Sequence, residues 1–317
     1  MMRFVAQAVL LVLAVSCGTG KPTPITRSFE GKPLFAPDLG SRPVTWLQAE
    51  VDAALAKWRL DPSEISAVWV GRRLAFRYLF PDAVKWFTDA LGTYPNSYRL
   101  RRHLGHRLLT LREVDGAIEV LTEARELAQE HPNRLEPDGA SGPSGEPRGT
   151  THGNIDYHLA FAHYLRAEYD RAAELWRECL EHWARNDDAR VAALHWLHTS
   201  LVRAGRTEDA AKVLAHSIDP ADIIEKFAFF ELVQLYRGDV DVEILLAREQ
   251  RSASVDYGVA RYLIAQGNVE RGEALLDALS ERPGWTAFGV LAAEADVARR
   301  KGLTVPPPRP ESNPAVQ

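Results

Sequence analysis

Cysteine is almost absent from this chain. Cys17 and Cys179 are the only two in 317 residues, too few for a disulfide scaffold or, by themselves, for a cysteine-rich zinc site. A dominant charge is missing as well: 38 Lys and Arg face 43 Asp and Glu, and the net charge of −5 gives no support to a nucleic-acid binder of the strongly basic kind. There is no Walker loop, no GxSxG, no GxGxxG, no CxxC and no HExxH, so the common signatures of nucleotide, acyl-transfer, redox and zinc-hydrolase chemistry are lacking. What is present is 46% hydrophobic, 26% charged and 9% aromatic, which excludes wholesale disorder, a collagen and a polytopic membrane protein. The length allows two or three units or one elongated array.

The opening MMRFVAQAVLLVLAVSC carries one early cation, Arg3, then an apolar run interrupted by Gln7, then small residues before Cys17. That is a signal-peptide layout, too short to span a bilayer comfortably. The string Leu13-Ala14-Val15-Ser16-Cys17 resembles the lipobox of bacterial lipoproteins. The resemblance implies removal of residues 1–16, diacylglycerol on the Cys17 sulfur and acylation of the new amine, and stable anchoring follows from two acyl chains. The mature net charge becomes 37 minus 43, or −6. Gly18 after the cysteine, where inner-membrane retention often uses Asp, favours by the same resemblance an outer-membrane protein facing the periplasm. Residues 17–43, rich in Gly, Pro, Ser and Thr, read as a flexible tether.

Self-similarity fills the body. Ala83 and Ala117 stand 34 residues apart; Phe87 and Leu121 follow four residues on, Ala90 and Ala124 three later, and Gly71 and Gly105 lie twelve upstream behind Val70 and Leu104. Pro95 closes the first copy. Small residues at that spacing let paired helices approach closely, while large ones fill the gap between pairs. This pattern resembles the tetratricopeptide repeat family. Weaker copies follow around Leu159, Ala160, Ala172 and Trp176, around Leu197, Gly205, Ala210 and Leu214, and around Gly267 and Leu276, with a degenerate pair after Asp219-Pro220. The expected fold is an all-α solenoid of about six helix pairs over residues 44–300, with Trp285 to Arg300 as a capping helix. Trp or Tyr is missing from several signature positions and the later spacings are not 34.

Two segments break the periodicity. Residues 132–153 hold four prolines and five glycines and cannot be helical throughout; they read either as a flap over the groove or as a floppy insertion. The tail 301–317, with VPPPRPESNPAVQ, reads as polyproline-like and disordered.

Stacked pairs leave a concave side lined mainly by first helices. Projection of that geometry places Arg72, Phe76, Arg99, Arg102, His106, Asn154, Tyr157, Tyr164, His195, Thr199, Arg203, Tyr257 and Arg261 toward the groove as ligand-binding candidates. Glu64 to Thr110 holds eight Lys or Arg against three acids, which either steers an anionic partner or, through Arg73, Arg77, Arg101 and Arg107, merely solvates outer faces. Family members that clamp a C-terminal carboxylate use Lys, Asn and Arg on successive repeats; Arg102 and His106 suit one repeat, but Tyr157 and Phe161 occupy the next.

The histidine pairs His103/His106 and His195/His198 could share a metal, yet no acid stands beside either as a third ligand. Cys179 in an apolar setting reads as a core residue, and Asp187-Asp188 after Asn186 as a helix cap. The expected function is a lipid-anchored, non-catalytic adaptor at the bacterial cell envelope, with no cofactor, no nucleic acid and a protein, peptide or glycan partner. The alternative is a metal-dependent hydrolase or metal-binding protein built on groove histidines.

Overall fold

The computed structural model describes residues 22–136 and 147–305. The signal segment, Cys17, the tip of the 132–153 insertion and most of the tail lie outside the described residues. Chain order is β1 (Thr26–Arg27), β2 (Pro33–Leu34), α1 (Ser41–Leu60), α2 (Glu64–Phe76), α3 (Phe80–Thr93), α4 (Tyr98–Thr110), α5 (Val114–Gln129), α6 (Thr151–Leu165), α7 (Tyr169–His182), α8 (Asp187–Arg203), α9 (Thr207–Val213), α10 (Phe227–Arg237), α11 (Val242–Leu246), α12 (Ala253–Ala265), α13 (Val269–Ser280) and α14 (Phe288–Arg300).

Six pairs run from α2 to α13, each with a first helix entered through a polar residue where one is available. Ser63 and Ser66 form a reciprocal capping box on α2, and Ser97, Thr150, Asn186 and Ser252 accept from the third residue beyond them on α4, α6, α8 and α12. Such caps satisfy backbone donors that a helix start leaves unpaired. First helices touch along one side, α2 with α4, α4 with α6, α8 with α10 and α10 with α12. The array expected from the repeats is therefore the array observed.

One turn recurs through it. Just past the first helix of each pair, at the second residue after it or, for α10, the first, the backbone is left-handed: Tyr78, Arg112, Ala167, Gly205, Gly238 and Gly267 all have positive φ. In each case the next N–H reaches back to the carbonyl five residues earlier, as in Leu79 to Leu74 (3.0 Å) and Glu113 to Leu108 (2.9 Å). This is the Schellman closure of a helix end. Gly302 repeats it after α14, with Leu303 N–H bonded to the Ala298 carbonyl at 3.0 Å. By this turn α14 is the first helix of a seventh pair. It caps the sixth pair, packing on α12 and α13, and it also touches α6 on the inner side.

Close approach explains the glycines of the signature. A Cβ added to Gly71 would stand 2.2 Å from the Phe87 ring, and one added to Gly105 would stand 2.4 Å from Leu121 Cγ. The large residue of each second helix occupies the space that the glycine leaves.

Part of the predicted tether is folded, which corrects that expectation. Residues around Gly31 make an antiparallel hairpin, with Thr26 opposite Leu34. Phe29 is buried, and Ile25 and Leu34 pack against the core. Thr26 Oγ1 donates to the Leu111 carbonyl at 2.8 Å, and Trp285 Nε1 donates to the Phe35 carbonyl at 2.7 Å. Lys32 pairs with Glu281 and Lys301 with Glu30. The hairpin thus ties the second pair to the last elements of the chain. Its apolar residues, few and isolated among Gly and Pro, give no period of their own.

Candidate binding surface

The inner side is built from the first helices, and the chain itself covers most of it. Phe288, the first residue of α14, stacks flat on Phe161 with ring centroids 4.0 Å apart. It also meets Tyr157 (5.9 Å), His106 (5.8 Å) and His158 (5.7 Å). Farther along α14, the Asp296 carboxylate forms an ion pair with Arg203 Nη1 at 2.6 Å and accepts from the Tyr257 hydroxyl at 3.0 Å, while Arg261 stands 3.7 Å away. The Tyr164 and Tyr257 hydroxyls meet at 2.6 Å. His106, Tyr157, Tyr164, Arg203, Tyr257 and Arg261 thus come together, as helical projection placed them, but beneath a seventh first helix.

Burial sets their chemistry. It holds His106 well below its ordinary pKa and pushes the Tyr157, Tyr236 and Tyr257 phenols up. His195 donates or accepts through Nδ1 with the Tyr236 hydroxyl at 2.8 Å, and Thr199 donates to the His195 carbonyl at 2.8 Å. These two face α10 from within the wall. His195 is fully buried and held down to about 3 by desolvation; His198, stacked 4.2 Å from Tyr236, is held at about 4. Such rings are neutral at any physiological pH.

The histidine pairs do not converge. His103 Nε2 meets Glu136 Oε1 at 3.1 Å, and His106 tilts against His158 with centroids 4.2 Å apart. Among the described residues no three of His, Cys, Asp and Glu stand together as a metal set. Cys179 is a free, fully buried thiol raised well above its ordinary pKa by burial. Asn186 caps α8, and the Asp188 carboxylate after it accepts the backbone N–H groups of Ile224, Glu225 and Lys226 at 2.8–3.0 Å. That carboxylate organises the entry to α10.

The base of the 132–153 insertion is ordered. Leu135 bridges Thr150, and Glu136 N–H bonds the Gly149 carbonyl at 2.8 Å. This stem drives Glu136 inward, where it is buried, meets Arg102 Nε at 3.5 Å and accepts from Asn154 Nδ2 at 2.7 Å. Glu136, unmarked in the sequence reading, neutralises Arg102. Other arginines of the basic stretch are paired too: Arg73 with Glu50 (2.9 Å), Arg99 with Glu64 (3.1 Å) and Arg101 with Glu123 (2.8 Å). Three arginines of the stretch from Glu64 to Thr110, Arg73, Arg101 and Arg102, are thus balanced by acids outside that window, Glu50, Glu123 and Glu136.

The inner face of the first pair is different. Ile65 is 50% exposed and Phe76 46% exposed. Arg72 lies over the Trp69 ring at 4.4 Å and 6.0 Å from the Phe76 centroid. Arg99, next along the face, borders a cleft of about 520 Å³ with Tyr98, His131 and Arg134. No described helix is long and apolar enough to cross a membrane.

The chain matches no family model and no curated protein. Among solved structures it is similar to the nearly identical TPR-like repeats of a kinesin light chain from Podosopora anserina, with 15% identity over 82% of this chain and 100% of that one and a TM-score of 0.40. It is also similar to a tetratricopeptide repeat protein from Parabacteroides merdae, with 14% identity over 79% and 92% and a TM-score of 0.45. Likenesses this loose carry no function across.

Proposed function

We propose that this protein is a non-catalytic scaffold that docks a protein partner on the inner face of its first two helix pairs. It is held at the bacterial cell envelope by lipid on Cys17, on the outer membrane facing the periplasm.

The observation that carries the reading is the contrast along the inner side. Ile65 and Phe76 are half exposed beside Arg72, whereas His106, Tyr157, Phe161, Arg203 and Tyr257 farther along the inner side meet Phe288 or Asp296 of α14. Exposed apolar residues flanked by guanidiniums suit an extended peptide with apolar side chains and acidic neighbours. The rigid array keeps those groups in place before binding, which lowers the ordering cost.

The test is a pull-down from envelope extract with the mature chain as bait, repeated with Phe76→Glu and Arg72→Glu. Phe76 is half exposed on α2, and unchanged far-ultraviolet circular dichroism of both variants checks that the fold is retained. A partner captured by the native protein and lost from both variants supports the surface; a partner retained by both removes it. Mass measurement of the N-terminus tests the anchor, since a Cys17→Ser chain must lose the acylated species.

A further inference from the structure

Asp296 is crowded by guanidinium groups. Arg203 Nη1 stands 2.6 Å from it, and Arg261 Nη1 and Arg299 Nη1 each stand 3.7 Å away. All four side chains are mostly shielded, with 12%, 19%, 23% and 5% of the surface of Arg203, Arg261, Arg299 and Asp296 exposed. Among the described residues no other carboxylate pairs with any of the three arginines. Three cations on one anion leave two positive charges in excess in a shielded place, and buried charge of that kind requires a counter-charge.

Unused donors point the same way. Arg261 Nε is buried with no hydrogen-bond partner; Arg299 Nη1 and Asp296 Oδ1 are likewise unpartnered, but Arg299 donates through Nη2 to the Leu165 carbonyl, which leaves Arg261 as the guanidinium with no hydrogen bond of its own. Arg261 makes no closer polar contact than the 3.7 Å approach to Asp296. A buried N–H without an acceptor is uncommon in a folded protein and marks a place where an acceptor belongs.

A cavity of about 230 Å³ opens beside this cluster between α8, α9, α10 and α12. Arg203 and Arg261 stand on its wall with Val202, Ala211, Leu214 and Ala265. The volume lies below the roughly 300–1,000 Å³ of ordinary ligand pockets, so it excludes a peptide or an oligosaccharide. An inorganic anion would satisfy the guanidiniums and leave the apolar wall unfilled.

We propose that this cavity binds a small free carboxylate with a short apolar tail, the carboxylate on Arg261 and Arg203 and the tail against Val202, Ala211, Leu214 and Ala265. The site belongs to the fourth, fifth and sixth pairs and goes beyond the docking surface of the first two. Its failure leaves that surface untouched, and the reverse holds as well.

Titration calorimetry of the full mature chain with sodium octanoate tests it, with octan-1-ol and sodium phosphate as the uncharged and tailless probes. Octanoate is expected to saturate one site. Arg261→Met, with unchanged far-ultraviolet circular dichroism, should weaken it roughly tenfold to a hundredfold, the range for losing a charge-assisted hydrogen bond. Leu214→Trp, which fills the cavity without touching the arginines, should abolish binding and stands in if Arg261→Met fails to fold. Absence of octanoate binding overturns the site. Equal binding of octan-1-ol, equal binding of phosphate, or native affinity in the variant that folds each overturns it too.

Discussion

Arg112, in the turn after α4, forks onto Glu294 of α14, 182 residues further along the chain. Nη2 stands 2.5 Å from one carboxylate oxygen and Nε 3.1 Å from the other. The same guanidinium donates to the Trp285 carbonyl at 2.8 Å and the Thr110 carbonyl at 2.6 Å. Both side chains are almost fully buried, and burial pushes the Glu294 carboxyl up despite its partner. Arg112 therefore fastens the seventh first helix to the second pair.

Removing one member of this pair should be costly. Arg112→Met strands a buried carboxylate and is expected to destabilise by about 3–5 kcal/mol, whereas Arg112→Met with Glu294→Leu should recover most of the loss. Urea unfolding at pH 7 measures both. A double variant as weak as the single one would contradict the assignment.

Gly71→Ala and Gly105→Ala should each destabilise by about 1–3 kcal/mol, because the new methyl must displace a packed ring or isobutyl group. Their Cβ atoms would lie 2.2 and 2.4 Å from Phe87 and Leu121. Gly92→Ala, with nothing within 4 Å, is the control on an exposed helix and should be stabilising.

Ala167 sits in the left-handed turn with φ 63°. Ala167→Gly relieves about 1–2 kcal/mol of strain and loses roughly 0.5–1 kcal/mol to chain entropy, so a small gain in melting temperature is expected. A fall in melting temperature would count against the strain.

Stability should fall on mild acidification. His103 and His198 are held down to about 4 and His195 to about 3, each chiefly by burial. Their unfolded value is about 6.5, so protons bind the unfolded chain first. Stability from the neutral rings is complete above pH ~6.5 and declines as pH falls toward the folded values, each ring removing about 1 kcal/mol between pH 6 and 5. Glu294 acts in the opposite sense, since its raised carboxyl favours folding at lower pH, but it is one group against these three and His106, which burial also holds well below its ordinary value. Urea midpoints at pH 7, 6 and 5 check the sign; a flat profile contradicts it.

The repeat order was legible because Gly71, Ala83, Phe87 and their copies meet in space for a single packing reason. The inward direction of Tyr157, Tyr164, Arg203 and Tyr257 was legible from helical geometry for the same reason. What covers them was not: Phe288 reaches Tyr157, and Asp296 reaches Arg203, across more than 90 residues, and Asp296 reaches Tyr257 across 39, and no local period encodes that encounter. A signal did exist in the Lys301-Gly302-Leu303 turn, which repeats the ends of earlier first helices. Glu136 escaped notice because its partners lie on α4 and α6, while its own neighbours, Leu135 and Pro137, begin a stretch rich in Pro and Gly with no helical period.

A photoreactive phenylalanine analogue placed at Phe76 and, in a second strain, at Tyr157 tests the central claim most directly, because it reads which stretch of the inner face meets another protein in the living cell. Irradiation should yield a discrete adduct from position 76 and none from position 157, where Phe288 and Trp176 already surround the ring. Adducts from 157 with none from 76 would show that the chain opens its own inner face to its partner, and the account given above would be wrong.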